Sequence, residues 1–215
     1  MTAIWYRLAR LVCRLFCRVL FRIRVYGIEN VPPSGALVLL SNHQSYLDPI
    51  LCGVFLKRQL CFLARESLFA NRLFRALIKS LGAIPLRQGR ADLAAVKTVV
   101  AELRRGKAVC LFPEGTRTED GRIGRIKPGF GLLCRRGKAA VVPMVIDGAF
   151  ECWPRHRKMF KTGPIWVCYG EPISAEQAAE MGDEKLAEAV TERLRQMQAD
   201  LRTKRGKEPL SYSVP

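Results

Sequence analysis

Two kinds of hydrophobic pattern divide this chain. Over residues 1–24, Arg7, Arg10, Arg14, Arg18 and Arg22 recur every three or four positions, and Ile4, Trp5, Leu8, Leu11, Val12, Leu15, Phe16, Val19 and Leu20 lie between them. At about 100° per residue this makes one basic stripe beside a broad apolar face, the signature of an amphipathic helix. Beyond it the apolar residues fall in short runs. A short strand-like run covers 25–28, and others cover 36–40, 60–64, 83–86, 108–112, 139–146 and 164–169. Runs without alternation suit strands buried on both faces. Helical patterns occupy 49–56, 67–81, 91–105, 129–136 and 183–201. Strands separated by helices predict an α/β fold, with a mixed, largely parallel sheet flanked by helices in a single domain. The expected division is an amphipathic helix over 1–24, a domain over 25–201 and a basic, frayed tail over 202–215.

Composition sharpens this picture. The chain has 215 residues, 49% of them apolar, enough for one real core. Lys and Arg number 36 against 19 Asp and Glu, a net charge of +17. Such a surface attracts nucleic acid, anionic lipid, or an acidic substrate or carrier. Eight cysteines form no C-x-x-C pair and no zinc-ligand spacing, so no metal site is expected and the thiols read as reduced, buried hydrophobes. Cys13 and Cys17 share a helical face, where packing is the simplest role.

The charge also decides what the first helix does. A spanning helix would place Arg10, Arg14 and Arg18 in hydrocarbon at about 2.5–3.5 kcal/mol each, roughly 8–10 together. A signal peptide needs an unbroken apolar centre and a small-residue cleavage site, and neither is present. A helix lying in the membrane interface meets both demands, with arginines at the headgroups and the other face sunk below them. Trp5 and Tyr6 suit that depth.

The candidate chemistry sits where strands end. The run 36–40 leads straight into Ser41-Asn42-His43-Gln44-Ser45-Tyr46-Leu47-Asp48-Pro49. Sites in open α/β sheets gather at the carboxyl ends of strands. Only His43 and His156 could supply an imidazole base, and His156 lies in a basic stretch that reads as a solvated loop. Asp48 before Pro49 suits a helix N-cap. The same carboxylate could hold one nitrogen of His43 and leave the other free to take a proton. The run 108–112 ends in Pro113-Glu114-Gly115-Thr116-Arg117-Thr118. Glycine there permits close backbone approach, and the Arg117 fork suits an oxyanion.

Taken together and in this order, these blocks resemble the glycerolipid acyltransferase family, which includes bacterial 1-acylglycerol-3-phosphate acyltransferases. His43 to Asp48 matches its N-H-x-x-x-x-D block, Phe112 to Thr118 its F-P-E-G-T-R-S/T block, and Val142-Pro143-Met144-Val145-Ile146 its late strand. The likeness runs over about 25–172. It implies transfer of an acyl chain from a thioester to lysophosphatidic acid, with His43 as base and Asp48 as its partner. It further implies that Glu114, Gly115, Thr116 and Arg117 shape the acceptor site, with Glu114 organising Arg117. No cofactor is implied beyond acyl-CoA or acyl-acyl carrier protein as co-substrate. The implied partner is an anionic membrane surface, on the cytoplasmic face, held peripherally or monotopically. One block departs: after Gly82-Ala83-Ile84 the expected arginine position holds Gln88, so Arg87 or Arg90 is the candidate for that charge.

Three rivals follow from the same residues. Ser41 and Ser45 beside His43 suggest a hydrolase, but there is no G-x-S-x-G elbow. The charge suggests nucleic acid, but no recognition motif accompanies it. The displaced arginine allows a different lysolipid headgroup.

Overall fold

The computed structural model describes residues 3–87 and 92–212. Seven strands form one sheet: β1 (Phe21–Tyr26), β2 (Leu37–Ser41), β3 (Leu60–Arg65), β4 (Ala83–Leu86), β5 (Ala108–Leu111), β6 (Ala140–Asp147) and β7 (Gly163–Tyr169). Their order is β1-β7-β6-β2-β5-β3-β4, and every pairing is parallel except β6 with β7. This is the α/β architecture expected from the apolar runs.

The central strands explain why those runs do not alternate. In β2, Val38 and Leu40 enter one core, and Leu37 and Leu39 enter the other. In β5, Val109 and Leu111 oppose Ala108 and Cys110 in the same way. Helices α4 (Leu93–Arg104), α5 (Gly129–Gly137) and α7 (Ala175–Lys204) cover the first face through Val99, Leu103, Phe130, Leu133, Val190 and Leu194. The second face is covered by α2 (Asp48–Gly53), α6 (Ala149–Cys152) and the end of α1 (Ala3–Leu20), through Leu51, Cys52, Ala149 and Cys17. A further helix, α3 (Arg72–Ser80), follows a 3-10 turn at Glu66–Phe69 and buries none of its residues.

Several boundaries differ from the sequence reading. The first helix stops at Leu20, not at residue 24. From Phe21 the spacing becomes two, with Phe21, Ile23 and Val25 alternating with Arg22 and Arg24, and this alternation makes β1. Arg22 therefore does not belong to the helical stripe. The last helix begins at Ala175, where Ser174 and Gln177 form a capping box, and Gly182 at φ 73° breaks it. The expected helix over 183–201 is its second segment. Nor is the tail frayed from residue 202. The helix runs to Lys204, and Tyr212 packs back, donating to Gln198 Oε1 and accepting from the Ile123 N–H.

The arginine stripe of α1 is split. Arg10 donates to the Leu56 carbonyl just beyond α2, and Arg14 lies over the Phe55 ring at 5.8 Å. Arg7 and Arg18 remain exposed. The apolar face points outward, with Ile4 77%, Leu11 63% and Val19 72% exposed. Only the end of this face, through Phe16 and Leu20, packs on the protein's own core. Among the described residues no helix is long and apolar enough to cross a membrane. The eight cysteines are unbridged, and burial pushes the Cys134 thiol up to about 12.

Candidate active site

The site forms where β2 and β5 end side by side. Register pairs Leu40 with Leu111, so the loops that follow both strands leave the sheet together. The β2 loop is anchored by buried Asn42. Its side chain donates to the Ile146 carbonyl at 2.9 Å and accepts from the Ile146 N–H at 2.8 Å, a two-way tie to β6. Gln44 donates to the Gly121 carbonyl at 2.9 Å.

Between these anchors stands His43. Its Nδ1 lies 2.7 Å from Asp48 Oδ2, and its ring stacks on Phe112 with centroids 4.0 Å apart. Asp48 is fully buried, whereas the His43 side chain keeps 20% exposure. Asp48 Oδ2 also accepts from the backbone N–H groups of Gln44 at 2.6 Å and Ser45 at 2.7 Å. Burial pushes the Asp48 carboxyl up, opposed by His43 and by those two N–H groups. With an ionised carboxylate at Nδ1, the imidazole carries its proton there and leaves Nε2 as the accepting nitrogen. Asp48 does not cap α2. Leu47 is the cap residue and receives no side-chain cap, because the carboxylate turns back toward the loop.

Glu114 differs from its expected role. It does not organise Arg117. Its Oε1 accepts from the His43 backbone N–H at 2.7 Å and its Oε2 from the Gly124 N–H at 2.8 Å. It therefore clamps the His43 loop to the segment after β5. Burial pushes this carboxyl up as well, against the pull of the same two N–H groups. The Thr118 N–H donates to the His43 carbonyl at 2.8 Å, which completes the tie between the loops. Gly115 turns at φ 76°, and an added Cβ would lie 3.1 Å from Lys127 Nζ.

Arg117 stacks on the Tyr46 ring at 3.6 Å, and its Nη1 is buried without a hydrogen-bond partner among the described residues. It lines a cavity of about 530 Å³ together with Glu114, Thr116, Arg155, Arg195 and Tyr212. Arg155 pairs with Glu119 and Arg122 with Asp120. Arg195 stacks on Tyr212 at 4.4 Å.

The structure thus brings His43, Asp48, Glu114, Gly115, Thr116 and Arg117 together. Arg87 is elsewhere. It follows the edge strand β4 with an exposed side chain 3.3 Å from Glu66. Arg90 and Gln88 lie outside the described residues. Tyr46, Phe112, Lys127, Arg195 and Tyr212 join this site beyond the residues expected from sequence. Tyr46 and Phe112 stand inside the two motif blocks, and that position is the available signal. Arg195 and Tyr212 carried none, since only the return of α7 and the tail brings them to this face. The serines are not poised for attack: Ser41 Oγ donates to the Asn42 carbonyl, and Ser45 Oγ to the Trp153 carbonyl. Among the described residues no cluster of His, Cys, Asp or Glu could hold a metal ion.

The family model described as Acyltransferase matches residues 22–147. The chain is 29% identical over 183 residues to a 1-acyl-sn-glycerol-3-phosphate acyltransferase of Bacillus subtilis, covering 85% of this chain and 89% of that one. It is 30% identical to a chloroplastic 1-acyl-sn-glycerol-3-phosphate acyltransferase of Arabidopsis thaliana, over 79% of this chain but only 49% of that protein. The crystal structure of the 1-acyl-sn-glycerophosphate acyltransferase of Thermotoga maritima superposes with a TM-score of 0.77 at 23% identity, over 92% of this chain and 82% of that one.

Proposed function

The chain belongs to the acyltransferase family, and from that premise we propose that it moves a fatty acyl group from a thioester to the sn-2 hydroxyl of 1-acyl-sn-glycerol 3-phosphate, making phosphatidic acid. The observation that carries this reading is the His43–Asp48 pair, with a buried carboxylate on Nδ1 and a partly exposed ring.

The chemistry follows from that pair. A thioester is already activated, so no covalent enzyme intermediate is required. His43 Nε2 takes the proton of the acceptor hydroxyl as its oxygen attacks the acyl carbon. The tetrahedral intermediate collapses, the C–S bond breaks, and the imidazolium returns its proton to the leaving thiolate. Asp48 stabilises the imidazolium in between. A positioned base contributes roughly 10²–10⁴ in rate.

Arg117 holds the acceptor phosphate in this scheme. Its guanidinium is oriented by Tyr46 and has an unmet donor, as a phosphate fork requires. Lys127, beside Gly115, supplies a second cation, alongside the Arg87 or Arg90 expected from the sequence. The outward apolar face of α1 docks the enzyme on the membrane that holds its acceptor, peripherally and on the cytoplasmic face. The acyl donor is acyl-CoA or acyl-acyl carrier protein, both anionic and suited to a chain of net charge +17.

The test is acyl transfer from a thioester to lysophosphatidic acid on anionic vesicles, with the wild type beside His43→Ala. A loss of about 10² or more in the variant is expected. No product from the folded wild type would reject the acceptor. Product that survives His43→Ala would reject the mechanism.

A further inference from the structure

Helix α3 leans on β4 and the preceding 3-10 turn through half-buried Ile78, and much of its apolar face stays uncovered. None of its nine residues is buried. Leu73 is 84% exposed, and Phe74 and Leu77 are each 43% exposed, as is Leu68 at 45% in the turn before it. Positions 73, 74 and 77 lie on one side of a helix. Arg72, Arg75 and Lys79 supply all of its charge, and no acid occurs in it. A helix of nine residues is too short to be stable alone and normally owes its stability to the packing of its apolar side. Asn71 caps it by accepting from the Phe74 N–H at 3.0 Å, but that satisfies one end only.

We propose that α3 enters the headgroup region of an anionic membrane beside α1, as a second docking element. Trp5 Nε1 donates to Ser80 Oγ at 2.9 Å, which joins the first turns of α1 to the last turn of α3. The two helices that leave apolar residues exposed are therefore neighbours. Charge selects the occupant. A second copy of this chain would bring its own Arg72, Arg75 and Lys79 near those of the first. Anionic headgroups neutralise them and admit the leucines and Phe74 just below, the layout of an interfacial helix. This inference rests on the membrane-bound acceptor proposed above.

The test uses the full chain and vesicles of phosphatidylglycerol and phosphatidylcholine. Sedimentation with vesicles is measured for the wild type, for Leu73→Asp with Leu77→Asp, and for Leu11→Asp with Leu15→Asp. Each pair is expected to lower vesicle binding by roughly tenfold or more. Both variants should keep wild-type circular dichroism and turnover of a short-chain, monomeric acceptor in solution. Phe74→Trp should in addition be quenched by brominated lipid. If the α3 pair binds like the wild type while the α1 pair does not, α3 is no docking element and the α1 reading stands. If neither pair loses binding, both readings fall. A lipid-free wild-type dimer that becomes monomeric in the α3 pair would assign the face to a second copy and overturn the proposal.

Discussion

The imidazole of His43 lies flat on the Phe112 ring, with planes 16° from parallel. One ring stands in the loop after β2 and the other in the loop after β5, so the stack presses together two loops 69 positions apart in the chain. The stack and the Asp48 bond fix the imidazole plane from two directions. Phe112→Ala removes the wall and leaves the ring free to turn about that bond. We expect turnover to fall about tenfold or more with the KM for acceptor little changed, since alignment and not affinity is lost. Steady-state kinetics on vesicles separates the two.

Asp48→Asn keeps an oxygen for the Gln44 and Ser45 N–H groups but removes the charge that supports an imidazolium. Turnover should fall about 10²-fold or more while the fold is retained. Single-turnover acyl transfer, with circular dichroism as the control for folding, checks this. A loss of folding in place of a loss of rate would make the carboxylate structural.

Arg117→Lys preserves charge but loses both the planar stack on Tyr46 and the bidentate fork. The KM for a phosphate-bearing acceptor should rise by roughly tenfold or more, the scale of one charge-assisted hydrogen bond. Tyr46→Leu should reproduce part of that rise. An acceptor without the phosphate should be indifferent to both changes.

Glu114 links stability to pH. Burial raises its carboxyl above the ordinary range, so between the ordinary and the raised value the folded state binds the proton more tightly than the unfolded state. Its contribution to stability therefore falls as pH rises through that window. Thermal melts of wild type and Glu114→Gln from pH 4 to 8 should show the wild type losing ground to the variant as pH rises above the ordinary carboxylate range. A constant difference across that range would contradict the assignment.

Asp147, 1% exposed at the end of β6, pairs with Arg205, itself 4% exposed, and with Arg202 at 3.4 Å. This fastens the end of α7 to the sheet and starts the tail on its path back to the cavity. Asp147→Asn leaves Arg205 buried without its counter-charge. Removing one partner of such a pair costs about 3–5 kcal/mol. Urea denaturation should show a lower midpoint with an unchanged slope.

The sequence alone was most informative where chemistry and local pattern agree. Unbroken apolar runs determined the central strands, because β2 and β5 are buried on both faces and every residue is apolar apart from Ser41 at the end of β2. Strands that end in polar blocks determined where His43, Asp48 and Glu114 stand, because carboxyl ends of neighbouring parallel strands open on the same edge. Local spacing also contained the switch at Phe21, since its two-residue alternation marks a strand, although Arg22 keeps the helical spacing of the arginines before it.

Tertiary structure alone decided what each polar group faces. Asp48 could cap a helix or hold His43, and burial of the loop gave it to His43. Arg10 and Arg14 share a stripe with Arg7 and Arg18, yet α2 and its following turn draw the first two inward. Arg195 and Tyr212 reach the cavity only because α7 returns across the sheet. Periodicity records which side of an element is apolar. It carries no record of which partner, across the sheet or across the membrane surface, that side will meet.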